Sequence, residues 1–198
     1  MIFTSDNGAS HRFGGSNQPL RGWKAETWDG GMRMPLIARW PGTVPAGRTC
    51  SEIATAMDLL PTLAHLAGAE APGDRTIDGK DIGPLLKGEP DAASDYEAFF
   101  YYWEDELRAV RSGRWKLHFD QDLLFDLEAD VGETQNLFDT HPQTVKKLQA
   151  LADACRQDLG DTARGIEGKN RRPPGRVADP KPLIMLDPDD PHVEAAYD

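Results

Sequence analysis

Residues 99–127 read Phe99-Phe100-Tyr101-Tyr102-Trp103-Glu104-Asp105-Glu106-Leu107-Arg108-Ala109-Val110-Arg111-Ser112-Gly113-Arg114-Trp115-Lys116-Leu117-His118-Phe119-Asp120-Gln121-Asp122-Leu123-Leu124-Phe125-Asp126-Leu127. Four strand-like runs stand out, Phe99–Trp103, Leu107–Val110, Arg114–Phe119 and Leu123–Leu127. The turns between them are too short to carry a crossover, so neighbouring strands run antiparallel in a four-stranded meander. In the third run Trp115, Leu117 and Phe119 alternate with Arg114, Lys116 and His118. That period of two predicts a sheet with one buried face and one solvated face, the latter carrying Lys116 and His118.

Downstream, the spacing of Val145, Leu148, Leu151, Ala152, Cys155 and Leu159 predicts a helix over 142–159, ended by Gly160. Its apolar stripe belongs across the buried face of the meander. Residues 161–198 are rich in Pro, Gly and charge and show no periodicity. They read as an extended tail wrapping the domain, or as disordered. The basic stretch Arg164, Lys169, Arg171, Arg172 and Arg176 admits nucleic-acid binding as a weaker reading.

Upstream, Ile2-Phe3-Thr4 reads as a short buried strand halted by the turn sequence Asp6-Asn7-Gly8. Residues 8–35 form a long glycine-rich loop, a length that inside a compact domain signals function or disorder. Leu36–Trp40 reads as a second strand. Asp58, Pro61 and Gly68 bracket a helix with Leu59, Leu60, Leu63, Leu66 and Ala67 on a core-facing side.

The chain has 198 residues, 22 Lys+Arg and 33 Asp+Glu, a formal charge of −11, and 39 % hydrophobic residues. That is ordinary globular composition. Net acidity argues against a general nucleic-acid binder. No apolar run is long enough to span a membrane, and Met1–Asp6 lacks the basic-then-apolar order of a signal peptide. Two cysteines, Cys50 and Cys155, make neither a disulfide framework nor a Cys-rich zinc site.

Two places could hold chemistry. Asp6 and Asn7 stand just past the carboxyl end of a strand, where open α/β sheets bind ligands, and offer hard oxygen donors suited to calcium or magnesium. Asn7-Gly8 is also a turn signal in its own right, so the pair alone has two readings. Lys24 lies in the glycine loop, where small neighbours admit an anion, or where it is simply solvated. A P-loop does not fit, because Trp23 intervenes after Gly22 and Ala25 replaces the magnesium-binding hydroxyl. The five histidines form no ligand cluster, only His11 falls in the loop, and no Gly-x-Ser-x-Gly elbow is present.

Taken in order, Ile2–Gly8, Pro19-Leu20-Arg21-Gly22-Trp23-Lys24-Ala25-Glu26-Thr27-Trp28-Asp29-Gly30-Gly31-Met32-Arg33-Met34-Pro35 and Ile37–Gly42 resemble the C-terminal portion of the sulfatases, on the arylsulfatase side. The resemblance continues through Met57–Thr62, Ile77–Ile82, Ala109–Leu117 and Leu124–Leu127, about residues 1–160 in all. It implies an α/β, alkaline-phosphatase-like fold. Residues 1–91 would be the C-terminal part of the catalytic domain, 92–160 a subdomain of a four-stranded antiparallel sheet with one long helix, and 161–198 a tail. It also implies that Asp6 and Asn7 ligate a divalent ion, Ca2+ or Mg2+, and that Lys24 binds substrate and acts in catalysis by contacting the sulfate. The expected partner is a sulfate-ester small molecule or a sulfated glycan, with no nucleic acid or membrane, and relatives are commonly periplasmic or secreted.

The chain departs from the family in several ways. Trp23 stands where Gly or Cys is common, and Ala25-Glu26 where Gly-Thr is common. The turn from Phe119 to Leu123 is shorter than in many relatives. The family's formylglycine nucleophile arises within Cys-x-Pro/Ala-x-Arg, whereas Cys50 reads Cys-Ser-Glu-Ile-Ala and Cys155 reads Cys-Arg-Gln-Asp-Leu. The paired aspartates, arginine and histidines of the family site likewise have no counterpart here. Two ligands leave most of the roughly six to eight oxygens calcium takes to come from elsewhere. The expectation is therefore a sulfatase portion that needs a missing N-terminal half for activity. The alternatives are a non-catalytic accessory module and a phosphodiesterase or phosphonate hydrolase of the same superfamily.

Overall fold

The computed structural model describes residues 1–179. The four runs pair as β3 (Phe99–Trp103), β4 (Glu106–Ser112), β5 (Trp115–His118) and β6 (Leu123–Asp126), in antiparallel order β3-β4-β5-β6. A bulge at Tyr101/Tyr102 shifts the β3–β4 register. One helix, Pro142–Leu159, lies across one face of this sheet; it is α4 in the chain order given below. Proline opens it where no donor is needed, and Gly160, at φ 93°, closes it.

Between helix and sheet Leu107, Val110, Leu117, Leu124, Val145, Leu148, Ala152 and Cys155 form one buried cluster. Each large aliphatic residue there contributes about 1.5–3 kcal/mol by leaving water. The helical stripe is shorter than its spacing predicts, because Leu159 at the last turn is exposed. Burial also raises the pKa of the Cys155 thiol, which fits a packing role.

The opposite face is not solvated. Lys116 is 0 % and His118 6 % exposed, against the expectation from alternation. The reason is that a loop from the N-terminal segment and the loop after β6 cover that face, and their carboxylates meet these side chains. A polar alternation reports only that one face is polar, not whether water or an opposite charge fills it.

The first segment is built more thinly. It contains β1 (Ile2–Thr4), α1 (Asp29–Met32), β2 (Leu36–Ala38), α2 (Leu59–Leu66) and α3 (Gly83–Lys87). β1 and β2 pair antiparallel, Phe3 opposite Ile37. Phe3 and Ile37 are 61 % and 56 % exposed, so β1 is not the buried strand expected, since among the described residues β2 is its only neighbour. Likewise Leu60 and Leu63 of α2 face outward, and its buried residue is Thr62.

Asp58 does not cap α2 with its side chain. It is fully buried and instead accepts from the Thr55 and Lys80 amides and the Tyr96 hydroxyl, which ties residues 55–58, 80 and 96 together. Burial, then the bond to Asp58, pushes the Tyr96 pKa up to about 12.

Past α4, Asp161 and Ile166 bridge into a small closed loop, and Arg156 Nε donates to Asp161 Oδ2 at 2.8 Å. Arg171 reaches Asp105 and Arg172 reaches Asp78 and the Thr76 carbonyl, so these basic residues pair with acids and backbone of their own chain. The rest of the expected tail, residues 180–198, lies outside the described residues. Among the described residues no helix is long and apolar enough to cross a membrane.

Candidate functional site

The Asp6-Asn7 turn and the Lys24 loop are stitched together by backbone. The Gly8 amide donates to the Gly31 carbonyl at 2.9 Å, and the Lys24 amide donates to the Ala9 carbonyl at 3.0 Å. The approach is so close that a Cβ on Gly8 would lie 1.8 Å from the Gly30 oxygen, which only glycine avoids. Asn17 braces the same junction. Its Oδ1 accepts from the Ala9 amide at 2.7 Å, and its Nδ2 donates to the carbonyls of Ala9 and Gly22, each at 3.0 Å.

Within the loop Trp23 donates its amide to Glu26 Oε2 at 3.0 Å, and the Glu26 amide donates to the Trp23 carbonyl at 3.0 Å. Lys24 therefore rides a closed turn, its side chain exposed. Ala25 takes φ 75°, a left-handed conformation costly for a residue with a Cβ. Strain of this kind gathers at ligand-binding turns. His11 faces Trp23 with ring centroids 5.9 Å apart, forming an aromatic lip beside Lys24.

Beneath this loop sits a buried ion cluster. Lys116 Nζ of β5 lies 2.7 Å from Asp29 Oδ1 and 2.8 Å from Glu133 Oε1, all three side chains being at most 1 % exposed. The Asp29 amide donates to Glu133 Oε2 at 2.8 Å, and the Tyr101 hydroxyl donates to Asp29 Oδ1 at 3.2 Å. Arg111 stands 3.9 Å from Asp29 Oδ2, so two cations face two carboxylates. Burial alone would raise the Asp29 pKa, but the Lys116 ammonium and its hydrogen bond outweigh this and hold it below the usual carboxylate value.

Arg21 extends the clamp outward. It donates to the Glu133 carbonyl at 2.9 Å and lies 3.6 Å over the Trp28 ring, which in turn stacks on His118 at 4.1 Å. Burial lowers the His118 pKa, more than the neighbouring Glu133 oxygen at 3.2 Å raises it. Burial thus disfavours the charged imidazole relative to a free histidine.

A family model for "N-sulphoglucosamine sulphohydrolase, C-terminal" matches residues 23–158, well over half of the chain. The chain belongs to the sulfatase family. Steryl-sulfatase of Mus musculus is 37 % identical, over 79 % of this chain and 32 % of its own length. Arylsulfatase A of Bos taurus is 38 % identical, over 76 % of this chain and 37 % of its own. Among solved structures, "Ps i-CgsB in complex with k-i-k-neocarrahexaose" superposes with a TM-score of 0.68 at 28 % identity, over 78 % of this chain and 35 % of that one. This sulfatase chain thus spans about a third of the length of the curated relatives it matches.

Of the residues singled out in the sulfatase sequence, Lys24 is joined by its backbone amide to Ala9, two residues past the Asp6-Asn7 pair. Among the described residues the Asp6 carboxylate and the Asn7 side chain engage no partner, and no group of three or more His, Cys, Asp or Glu is gathered there. Both are hard oxygen donors of the kind a divalent cation such as calcium takes, and they make up part of the shell it needs. Sequence reasoning missed Asn17, Asp29, Lys116, His118 and Glu133. The available signal was charge at interior positions of strands, Lys116 above all, which invited a search for buried acids.

Proposed function

We propose that this chain is the C-terminal portion of a sulfuric ester hydrolase, in which Lys24 contacts the ester sulfate and Asp6 and Asn7 hold a divalent cation. The observation that carries this reading is the pair of backbone bonds, Gly8 to Gly31 and Lys24 to Ala9, that fastens the lysine loop to the Asp6-Asn7 turn. The family membership supports the reaction class. The bound cation supplies charge neutralisation at the sulfate oxygens.

The chain's own contribution is electrostatic and positional. The Lys24 ammonium neutralises charge on the sulfate as the ester bond to the alcohol breaks, and it does so from a turn already closed by Glu26 and Asn17. A preformed turn needs little reorganisation when the charge develops. By the resemblance the covalent nucleophile is a formylglycine, and no Cys-x-Pro/Ala-x-Arg stands in these 198 residues, so this reading assigns turnover to the chain joined to a segment that supplies one.

Joined to an upstream segment bearing Cys-x-Pro-x-Arg in its formylglycine form, the whole should release sulfate from an aryl sulfate. Lys24→Ala and Asp6→Ala should each lower that rate by about a hundredfold or more, as loss of a transition-state contact does. Unchanged activity in both variants would remove these residues from the site. Turnover by the isolated chain would contradict the division of labour.

A further inference from the structure

The buried cluster beneath the lysine turn contains a strained residue. Glu133 is fully buried and takes φ 53°, a left-handed conformation unfavourable for any residue with a Cβ. Its neighbours hold it there. The Glu133 amide donates to the Asp130 carbonyl at 3.2 Å, and the Thr134 and Gln135 amides donate to Asp130 Oδ2, each at 2.7 Å. In this conformation the Glu133 carboxylate meets Lys116, His118 and the Asp29 amide, while its carbonyl oxygen accepts from Arg21 Nη1 at 2.9 Å. Strain in a non-glycine backbone persists only where the surroundings fix it, and it gathers at functional sites.

Those contacts grip both limbs of the lysine turn. The incoming limb is held at Arg21, whose guanidinium is caught between the Glu133 carbonyl and the Trp28 ring, 3.6 Å away. The outgoing limb is held at Asp29, through its amide on Glu133 Oε2 and its carboxylate on Lys116. The limbs are also joined to each other, because the Gly30 amide donates to the Arg21 carbonyl at 2.7 Å. Little slack is left above them. A Cβ on Gly31 would lie 2.2 Å from the Glu26 carbonyl oxygen and 2.3 Å from that of Trp23, so the α1 backbone presses on residues at either side of Lys24.

Arg21 is an exposed residue, free to turn its fork of donors into water. Instead it reaches a carbonyl 112 residues away and covers an indole face. A cation–π contact at an exposed site adds little to global stability, but it fixes a position. We propose that Arg21 is a positioning residue, whose clasp on Glu133 fixes the base of the turn and thereby the place of Lys24. It touches no substrate. The consequence for catalysis rests on the reading of Lys24 as the sulfate contact, whereas the mechanical link does not. A catalytic group misplaced by about 1 Å can lose about a hundredfold in rate, so a fixed base matters to the lysine.

Amide hydrogen exchange in the 198-residue chain tests the link. Arg21→Met keeps an apolar stem over Trp28 and removes the donor. It should speed exchange at Lys24, bonded to the Ala9 carbonyl, and at Gly30, bonded to the carbonyl of residue 21, by about tenfold, the loss of one charge-assisted hydrogen bond. Exchange at Leu117 and Leu148 should stay as it is. An unchanged Lys24 amide overturns the proposal. Equal acceleration at Leu117 and Leu148 overturns it too, since Arg21 would then serve global stability alone.

The catalytic consequence is read in the chain joined to a formylglycine-bearing segment, with Arg21→Met and Lys24→Ala made singly and together. Arg21→Met alone should lower kcat for an aryl sulfate about tenfold, and should cost nothing further in the Lys24→Ala background, because it acts only through the lysine. The same fold loss in both backgrounds would refute that route. The two readings fail separately. If Lys24→Ala loses no activity, the sulfate contact falls, and exchange at the Lys24 amide alone decides whether the clasp stands.

Discussion

The sheet-and-helix unit of residues 99–159 and the segment of residues 1–66 use similar local patterns and reach opposite degrees of burial. In the first, Leu107, Val110, Leu117, Leu124 and Leu148 are all at most 3 % exposed. In the second, Phe3, Ile37, Leu60 and Leu63 are 48–61 % exposed. The difference lies in the partners, since α4 closes one face of the sheet whereas β1, β2 and α2 find few neighbours among the described residues. The chemistry-bearing loop belongs to the thin segment, yet it is anchored in the well-packed unit through Lys116. Position and stability of the candidate site are thus supplied by different parts of the chain.

The largest expected effect comes from breaking that anchor. Lys116→Met leaves Asp29 and Glu133 as two buried carboxylates faced by Arg111 on one side and the His118 imidazole on the other, and should cost about 3–5 kcal/mol in urea unfolding. Adding Asp29→Asn and Glu133→Gln removes the uncompensated charge and should recover a large part of the loss. If the single variant lost less than about 1 kcal/mol, the clamp would be no stronger than a surface pair.

One substitution made in both regions sharpens the contrast. Leu148→Ala, at a site 1 % exposed, should cost about 2–5 kcal/mol, because a cavity opens between helix and sheet. Leu60→Ala, at a site 55 % exposed, should stay within about 0.5 kcal/mol. Equal losses would mean that α2 is buried in the protein as studied. Unfolding midpoints with matched slopes separate the two outcomes.

A smaller effect reports on the same clamp through pH. The His118 pKa is depressed in the fold, so the unfolded chain binds a proton first, and stability falls as pH drops from the ordinary histidine value of 6.5 toward the folded one. The groups facing the imidazole are Glu133, Lys116 and Asp29, with Trp28 and Phe125 stacked on its ring. Below pH 3.8 the depressed Asp29 adds a second loss of the same sign. His118→Gln should flatten the first decline and leave the second. A wild-type midpoint that does not fall below pH 6.5 would show a solvated imidazole.

The meander and helix were legible because they depend on local signals. Turn spacing and period two mark the strands, and period 3.6 with Pro142 and Gly160 marks a helix found at Pro142–Leu159 as expected. Lys24, Asp6 and Asn7 stood out as residue types in a glycine-rich context, and backbone hydrogen bonds tie the two segments that carry them. What the sequence hid was long-range. The contact of Lys116 with Asp29 spans 87 residues, and that of Asp29 with Glu133 spans 104, and no periodicity encodes either. Alternation therefore placed Lys116 and His118 in water. The same blindness made Phe3 and Leu60 core residues, since apolar spacing marks a face without marking what covers it.

The smallest effect belongs to the turn itself. Ala25 holds φ 75° directly after Lys24. A left-handed alanine costs about 1–2 kcal/mol, while glycine costs about 0.5–1 kcal/mol more entropy on folding. Ala25→Gly should therefore change stability by a gain of about 0–1.5 kcal/mol. Its more telling readout is amide exchange at Lys24, bonded to the Ala9 carbonyl. If the anchor through Lys116 holds the turn, relieving the strain should leave that protection intact or raise it, with Leu117 and Leu148 unchanged. Faster exchange at Lys24 alone would mean that the methyl group of Ala25, and not the buried cluster, keeps the lysine in place.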